Sequence, residues 1–273
     1  MENALGYAGK RVIVSGCFSG MGAATAQLLL SLGAEVHGLD YKDSDLPLAS
    51  FTKVDLRDPA SIEAGVAKIG GKVDALFNCA GLPNAFPAMD VMKVNFVGLR
   101  HLTEQVLPLM GPGGAIASIA STGGLGWSRR IPTNMEFVTT KGFQQALDWC
   151  ETHMDVVGEG YAFSKENVIV WTQFMGAHLI KQGIRINCTL PSPTQTPMMA
   201  SFEATSGKEV IEAATAPMGR YSTPEEQAGG IVLLNSALAS IINGVVLPVD
   251  GGFMGGLATG QVDISKMMRR AAQ

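Results

Sequence analysis

The chain has 273 residues, 47% of them hydrophobic, and a formal net charge of -4. That length and apolar content suit one large α/β domain, and with no basic cluster beyond Arg129-Arg130 and Arg269-Arg270 there is no electrostatic footprint for nucleic acid, which leaves small molecules as the expected partners. No apolar run reaches the ~18 residues of a membrane span, and Met1-Glu2-Asn3-Ala4 opens no basic-then-apolar leader, so a soluble, cytoplasmic protein without membrane contact is expected.

Short β-branched runs recur between helical stretches: Val12 to Val14, Glu35 to Leu39, Lys53 to Leu56, Ala75 to Phe77, Ala115 to Ile119, Arg185 to Thr189 and Val245 to Val249. This alternation predicts one doubly wound parallel sheet with helices on both faces, a single domain over 1–273. After the first strand, Ser15-Gly16-Cys17-Phe18-Ser19-Gly20-Met21-Gly22 opens a helix through Ala23 to Leu30. Gly16, Gly20 and Gly22 suit a tight turn, close backbone approach to a pyrophosphate and close helix packing, with the helix N-terminus facing the anion.

Asp40 ends the second strand eighteen residues after Gly22, where a carboxylate accepts from the adenosine-ribose hydroxyls; this favours NAD(H). Lys42 partly offsets that charge and leaves NADP(H) open, and a strand-end turn is the plainer reading of Asp40. Asp55, with Leu56 beside it, ends the third strand either at the adenine edge or as a turn cap.

Farther on, 123–160 breaks the rhythm with a Gly/Pro/Arg-containing loop and a helix predicted around Met135 to Val157. Such a connection is a functional wall or a packed surface helix. Tyr161 and Lys165 follow, four residues apart on one helix face, where an ammonium favours the phenolate of its neighbour. Residues 197–218 form a substrate loop whose Met198, Met199, Phe202, Val210 and Ile211 give an adaptable apolar lining. With Trp127, Met135 and Phe137 from the insertion they suggest a bulky apolar ketone or alcohol, such as a steroid, terpenoid or aryl ketone; a stripe of this kind also suits plain core. The tail 253–273 is placed to close the pocket. Cys17, Cys79, Cys150 and Cys188 have no metal-ligand spacing and read as reduced thiols, and no metal is expected.

The glycine loop, Asn78-Cys79-Ala80-Gly81, Ser121, Tyr161/Lys165 and the closing Gly244-Val245-Val246-Leu247-Pro248-Val249-Asp250-Gly251-Gly252 come in an order that resembles the short-chain dehydrogenase/reductase family over roughly residues 8 to 252. The resemblance implies Tyr161 as general acid/base, Lys165 as the residue that lowers its pKa and holds the nicotinamide ribose, and Ser121 as the group orienting the carbonyl, with Ser118 the runner-up. Asn95 matches a helix position whose backbone carbonyl, exposed by a kink, holds a proton-relaying water; capping or packing is its other reading. Phe18, Ser19, Met21, Asn78, Ala80, Gly81, Pro191, Thr194 and Thr196 are implied cofactor contacts. The chain departs from the family where Asn78-Cys79 and Pro191-Ser192 replace Asn-Asn and Pro-Gly, and in the forty residues between Ser121 and Tyr161, far more than typical members carry.

That insertion and the short Asn78 to Asn95 segment resemble the bacterial 3α-hydroxysteroid dehydrogenase/carbonyl reductase branch. In that branch the inserted helices cover a face used for tetramers, so a homo-oligomer is expected, a dimer through a surface including Ile231 to Val249. The reaction implied is NAD(H)-dependent interconversion of a secondary alcohol and a ketone. An isomerase or dehydratase of the same fold, or a non-catalytic dinucleotide sensor, are the rival readings.

Overall fold

Where β-branched and apolar residues run together the chain forms seven strands: β1 (Arg11–Ser15), β2 (Glu35–Asp40), β3 (Ser50–Lys53), β4 (Ala75–Asn78), β5 (Ala115–Ile119), β6 (Arg185–Pro191) and β7 (Val246–Val249). They are seen in a computed structural model that describes residues 4–263. All pair in parallel, in the order β3-β2-β1-β4-β5-β6-β7. Parallel strands need a covered crossover between them, which is why the central ones are buried on both faces while β3 and β7, at the edges, are only partly covered.

Alternate residues of each strand feed two cores. Val12, Val14, Phe77 and Ala117 pack with Leu29 of α1 (Gly20–Ser31) and Ile231 of α11 (Pro224–Asn235). Ile13, Leu76 and Ile116 pack against α2 (Pro59–Ile69), α4 (Leu99–Val106) and α8 (Tyr161–Leu179), among them Ile62, Leu102 and Ile169. Each such side chain, taken fully out of water, stabilises the fold by roughly 1.5–3 kcal/mol. Between α3 (Ala88–Met92) and α4 the run Lys93–Gly98 is π-helical, a widened turn that carries Asn95.

The third strand lies three residues earlier than expected. Asp55 and Leu56 belong to the turn that follows it, where the Ser61 hydroxyl accepts from the Asp55 amide and Asp58 caps α2. The insertion begins as a 3-10 segment, Thr122–Arg129, and its single expected helix is three: α5 (Ile131–Val138), α6 (Gly142–Thr152) and α7 (Met154–Val157). The break between α5 and α6 is held by Arg100, 1% exposed, whose guanidinium donates to the carbonyls of Thr140 at 3.1 Å and Gly142 at 2.7 Å. A buried cation gathers the carbonyls that a continuous helix would have used itself. Phe137 and Trp149 then complete an aromatic layer with Phe96 and Phe163, ring centroids 4.9–5.7 Å apart.

The substrate loop is folded into α9 (Met199–Ser206) and α10 (Lys208–Ala213), and the chain closes with α12 (Phe253–Ala258). Residues 264–273 of the expected tail, with Arg269-Arg270, and Met1 to Asn3 lie outside the described residues. Among the described residues no helix is long and apolar enough to cross a membrane.

Candidate active site

At the carboxyl ends of β1 and β4 the connections leave in opposite directions and open a crevice of about 390 Å³. Gly16, Phe18, Ser19, Gly20, Met21 and Gly22 form its floor. A Cβ on Gly16 would lie 2.6 Å from the Ala80 backbone and one on Gly22 would lie 2.0 Å from the Gly16 carbonyl oxygen, so the loop tolerates no side chain at either place. Ser19 caps α1 without spending its hydroxyl on the helix, which leaves the helix N-terminus with free N–H donors, the requirement for a pyrophosphate cradle. Ala80 and Gly81 line the opposite wall, with Asp55 and Leu56 at the far end.

Asp40 is held by the amides of Phe18 at 2.9 Å and Lys42 at 3.0 Å, one to each carboxylate oxygen. It is 9% exposed and lines the crevice, so the carboxylate is preorganised with lone pairs left for hydroxyl donors. The Lys42 ammonium rests over the rings of Phe18 and Tyr41, 5.1 and 5.4 Å from their centroids. Asp55 is gripped by Arg57 at 2.7 Å, and that hydrogen bond holds its carboxyl below the usual range. These residues fit a dinucleotide. Asn78 departs from expectation: its amide donates to Thr103 at 3.0 Å and Ser118 at 3.2 Å in the interior, away from the crevice.

The two serines are placed differently. Ser118 is wholly buried inside β5, whereas Ser121, two residues past the strand, lines a second cavity together with Tyr161 and Lys165. Lys165 donates to the Ile119 carbonyl at 2.9 Å, which ties α8 to the end of β5. Burial pushes its ammonium down to about 8. Burial also raises the Tyr161 phenol, against a smaller lowering from its hydrogen bond with Ser121. Burial around the phenol is the larger of these two influences, and Lys165 is itself engaged with a carbonyl. Tyr161 stands at neutral pH as a phenol, a proton donor.

Asn95 is fully buried in the π-helical turn. Its side chain accepts from the Leu82 amide at 2.7 Å and donates to the Leu82 carbonyl at 2.9 Å and the Ser164 hydroxyl at 3.3 Å. It thus clamps the loop after β4 to α8. The packing role weighed from the sequence is present, and the π-turn supplies the expected kink.

The second cavity, about 330 Å³, is largely apolar, with Met198, Met199, Phe202, Val210 and Ile211 from the substrate loop and Phe253 and Leu257 from α12. The Phe202 ring meets the Tyr161 ring edge-on at 4.9 Å. Pro191, Thr194 and Thr196 line it as well, though Thr194 spends its hydroxyl on the Ser192 carbonyl at 2.8 Å. The insertion aromatics do not line it. Phe137 of α5 is buried in the aromatic layer, and Met135 and Trp127, the latter in the 3-10 segment before α5, are partly buried against the same core. Leu82, Asn84 and Leu125 line it instead. They sit in irregular connections with no periodicity to mark them.

Met21, Cys79, Gly81, Leu82, Thr196 and Met198 belong to both cavities, so the crevice opens directly into the apolar chamber at Tyr161. A parallel sheet with a glycine-rich turn at its switch point and a Ser/Tyr/Lys set beside it defines a dinucleotide-binding oxidoreductase. The short chain dehydrogenase family model matches residues 10–147 and the Enoyl-(Acyl carrier protein) reductase model matches 151–254, and the chain belongs to the short-chain dehydrogenase/reductase family, whose fold binds nicotinamide dinucleotides. It is 34% identical over 244 residues to the coniferyl-alcohol dehydrogenase of Pseudomonas sp. (strain HR199 / DSM 7063), covering 89% of this chain and 96% of that one. It is 28% identical to the 3-alpha-hydroxysteroid dehydrogenase/carbonyl reductase of Comamonas testosteroni, covering 88% and 95%. The crystal structure of the 3-alpha-hydroxysteroid dehydrogenase from Pseudomonas sp. B-0831 complexed with NADH superposes with a TM-score of 0.79 at 28% identity, over 93% of this chain and 100% of that one.

Proposed function

We propose that the protein interconverts a bulky, largely apolar alcohol and its carbonyl compound with NAD(H), using Tyr161 as general acid/base. The observation that carries this reading is the shared wall: the apolar chamber that Tyr161, Ser121 and Lys165 line has Met21, Cys79, Gly81, Leu82, Thr196 and Met198 in common with the dinucleotide crevice. The bound nicotinamide supplies hydride exchange with the reacting carbon. In reduction, Tyr161 donates its phenolic proton to the developing alkoxide, and Ser121 donates a hydrogen bond to the same oxygen, an oxyanion contact of about 3 kcal/mol. Lys165, drawn close by the Ile119 carbonyl, holds the ribose and favours the phenolate left behind. In oxidation the same groups run in reverse.

The crevice residues support NAD over NADP because Asp40 is fixed with its charge facing the ribose. The chamber supports an aryl or alicyclic substrate: coniferyl alcohol and hydroxysteroids, named for the relatives, share that bulk. The test is NADH absorbance during incubation with NAD or NADP and a panel of bulky aryl, terpenoid and steroid alcohols. Turnover with NAD is expected, and tight NADH binding without turnover of any alcohol or ketone would leave the sensor reading standing. Asp40→Ala is expected to lower the NAD-to-NADP ratio of kcat/KM by about 10-fold; an unchanged ratio refutes the ribose role.

The surface from 231 to 249 is proposed as a dimer interface. It bares Leu238 (61% exposed) and Ile241 (93% exposed), an unusual cost for an isolated subunit. Light scattering is expected to give twice the 28.7 kDa chain mass; a tetramer counts against this surface as the sole interface.

A further inference from the structure

One carboxylate in the catalytic helix is neither exposed nor part of the proton-transfer set. Glu166 follows Lys165 directly and is 2% exposed. Its Oε1 accepts from Arg130 Nη2 at 2.6 Å, and its Oε2 accepts from Asn134 Nδ2 at 3.4 Å. Arg130 and Asn134 both belong to the insertion. The Arg130 guanidinium also lies over the Phe163 ring, 5.6 Å from its centroid, and donates to the Val156 carbonyl at 3.4 Å. Its side chain is 38% exposed, so the pair is sealed on the side facing α8 and open on the other.

The segment joining Ser121 to Arg130 lies against the same point of the helix. Ser121 begins it as a cap, its hydroxyl accepting from the Gly123 amide at 3.0 Å. A Cβ on Gly124 would come within 2.8 Å of the Lys165 carbonyl carbon and 2.9 Å of the Glu166 nitrogen, and one on Gly126 within 2.5 Å of Glu166 Oε1. The 3-10 run therefore rests backbone to backbone on Lys165–Glu166 and is tied down at its far end by the Arg130–Glu166 pair. Ser121 is at its near end, with Tyr161 one helical turn before Lys165.

We propose that Glu166 is a positioning residue: by holding Arg130 and seating the glycine-rich turn, it fixes the Ser121 hydroxyl relative to the Tyr161 phenol. This rests on the reading of Ser121 and Tyr161 as the reacting pair. A hydroxyl that must meet a developing alkoxide tolerates little displacement, and misplacement of about 1 Å can cost up to about 100-fold in rate. The effect falls on the transition state, where the oxyanion contact is made, more than on ground-state binding.

Glu166→Gln keeps the shape and removes the charge, while Arg130→Met removes the partner at a half-exposed site that tolerates an apolar stem. Both are expected to lower kcat about 10-fold, with the alcohol KM and the NADH dissociation constant within about 2-fold of wild type, and to move the limb of the kcat–pH profile that reports Tyr161. Arg130→Lys is expected to recover part of kcat, and the double variant to lose little more than either single one, because both remove the same contact. Folded Glu166→Gln and Arg130→Met proteins that bind NADH and keep kcat within 2-fold with an unmoved pH profile overturn the proposal, even if their melting temperatures fall. Failure of the underlying assignment looks different: Tyr161→Phe would then retain activity.

Discussion

Tyr161→Phe is expected to lower kcat by about 1,000-fold or more in both directions while the NADH dissociation constant changes by less than about 3-fold. General acid/base transfer alone contributes roughly 100- to 10,000-fold, and 1,000-fold corresponds to about 4 kcal/mol of barrier. Phenylalanine keeps the edge contact with Phe202 and fills the same volume, so the chamber stays intact and the loss isolates the hydroxyl. Burial sets the pH behaviour. With the phenol held above its ordinary range, the proton needed for carbonyl reduction stays in place through neutral pH, whereas alcohol oxidation needs the phenolate and gains as pH rises. A Phe variant retaining more than a tenth of wild-type kcat, measured by nicotinamide absorbance, removes Tyr161 from the proton path.

Lys165→Met is expected to lower kcat by about 100-fold and weaken NADH binding, yet make the protein more resistant to denaturant at pH 7. The ammonium is buried at 4% exposure with one protein hydrogen bond, to the Ile119 carbonyl. Burial takes it from 10.5 to about 8, so the folded state binds fewer protons than the unfolded one between those values. Stability therefore rises with pH through that window; below it the charging cost is present in full, roughly 3 kcal/mol. Methionine removes this cost but leaves the Ile119 carbonyl without its donor, which costs about 1–3 kcal/mol. The variant's advantage in urea midpoint is thus small at pH 7 and shrinks or reverses as pH climbs from 8 to 10.5. An advantage that grows over that range contradicts a buried, destabilised ammonium.

Where local chemistry constrains the backbone, the sequence was readable. Gly16 and Gly22 are needed because backbone lies against them, and β5 lies where the short run Ala115 to Ile119 marks a buried strand. The parallel sheet followed from the alternation of strands and helices, and the convergence of Ser121, Tyr161 and Lys165 on one cavity from motif order. Side-chain direction was less accessible: Asn78 turns inward because Thr103 and Ser118 offer partners there, and no neighbour in sequence reveals them. The insertion was least legible. Phe137 has the composition of a binding wall, but the break after its helix is held by Arg100, from a helix thirty-odd residues earlier in the chain. The raised phenol of Tyr161 is of the same kind, since spacing gives the distance to a cation but not the depth of burial around both groups.

Arg100 and Glu166 lie outside the insertion, one before it and one after, and both find their partners within it. Excising residues 123–160 would take the Thr140 and Gly142 carbonyls from Arg100, leaving it the Glu104 carboxylate at 3.7 Å, and would strip the buried Glu166 carboxylate of Arg130 and Asn134, a penalty of several kcal/mol for that carboxylate. The inserted segment is thus no detachable ornament of the sheet: the framework on either side of it carries charges whose partners it supplies, so its removal would have to be accompanied by changes at both positions.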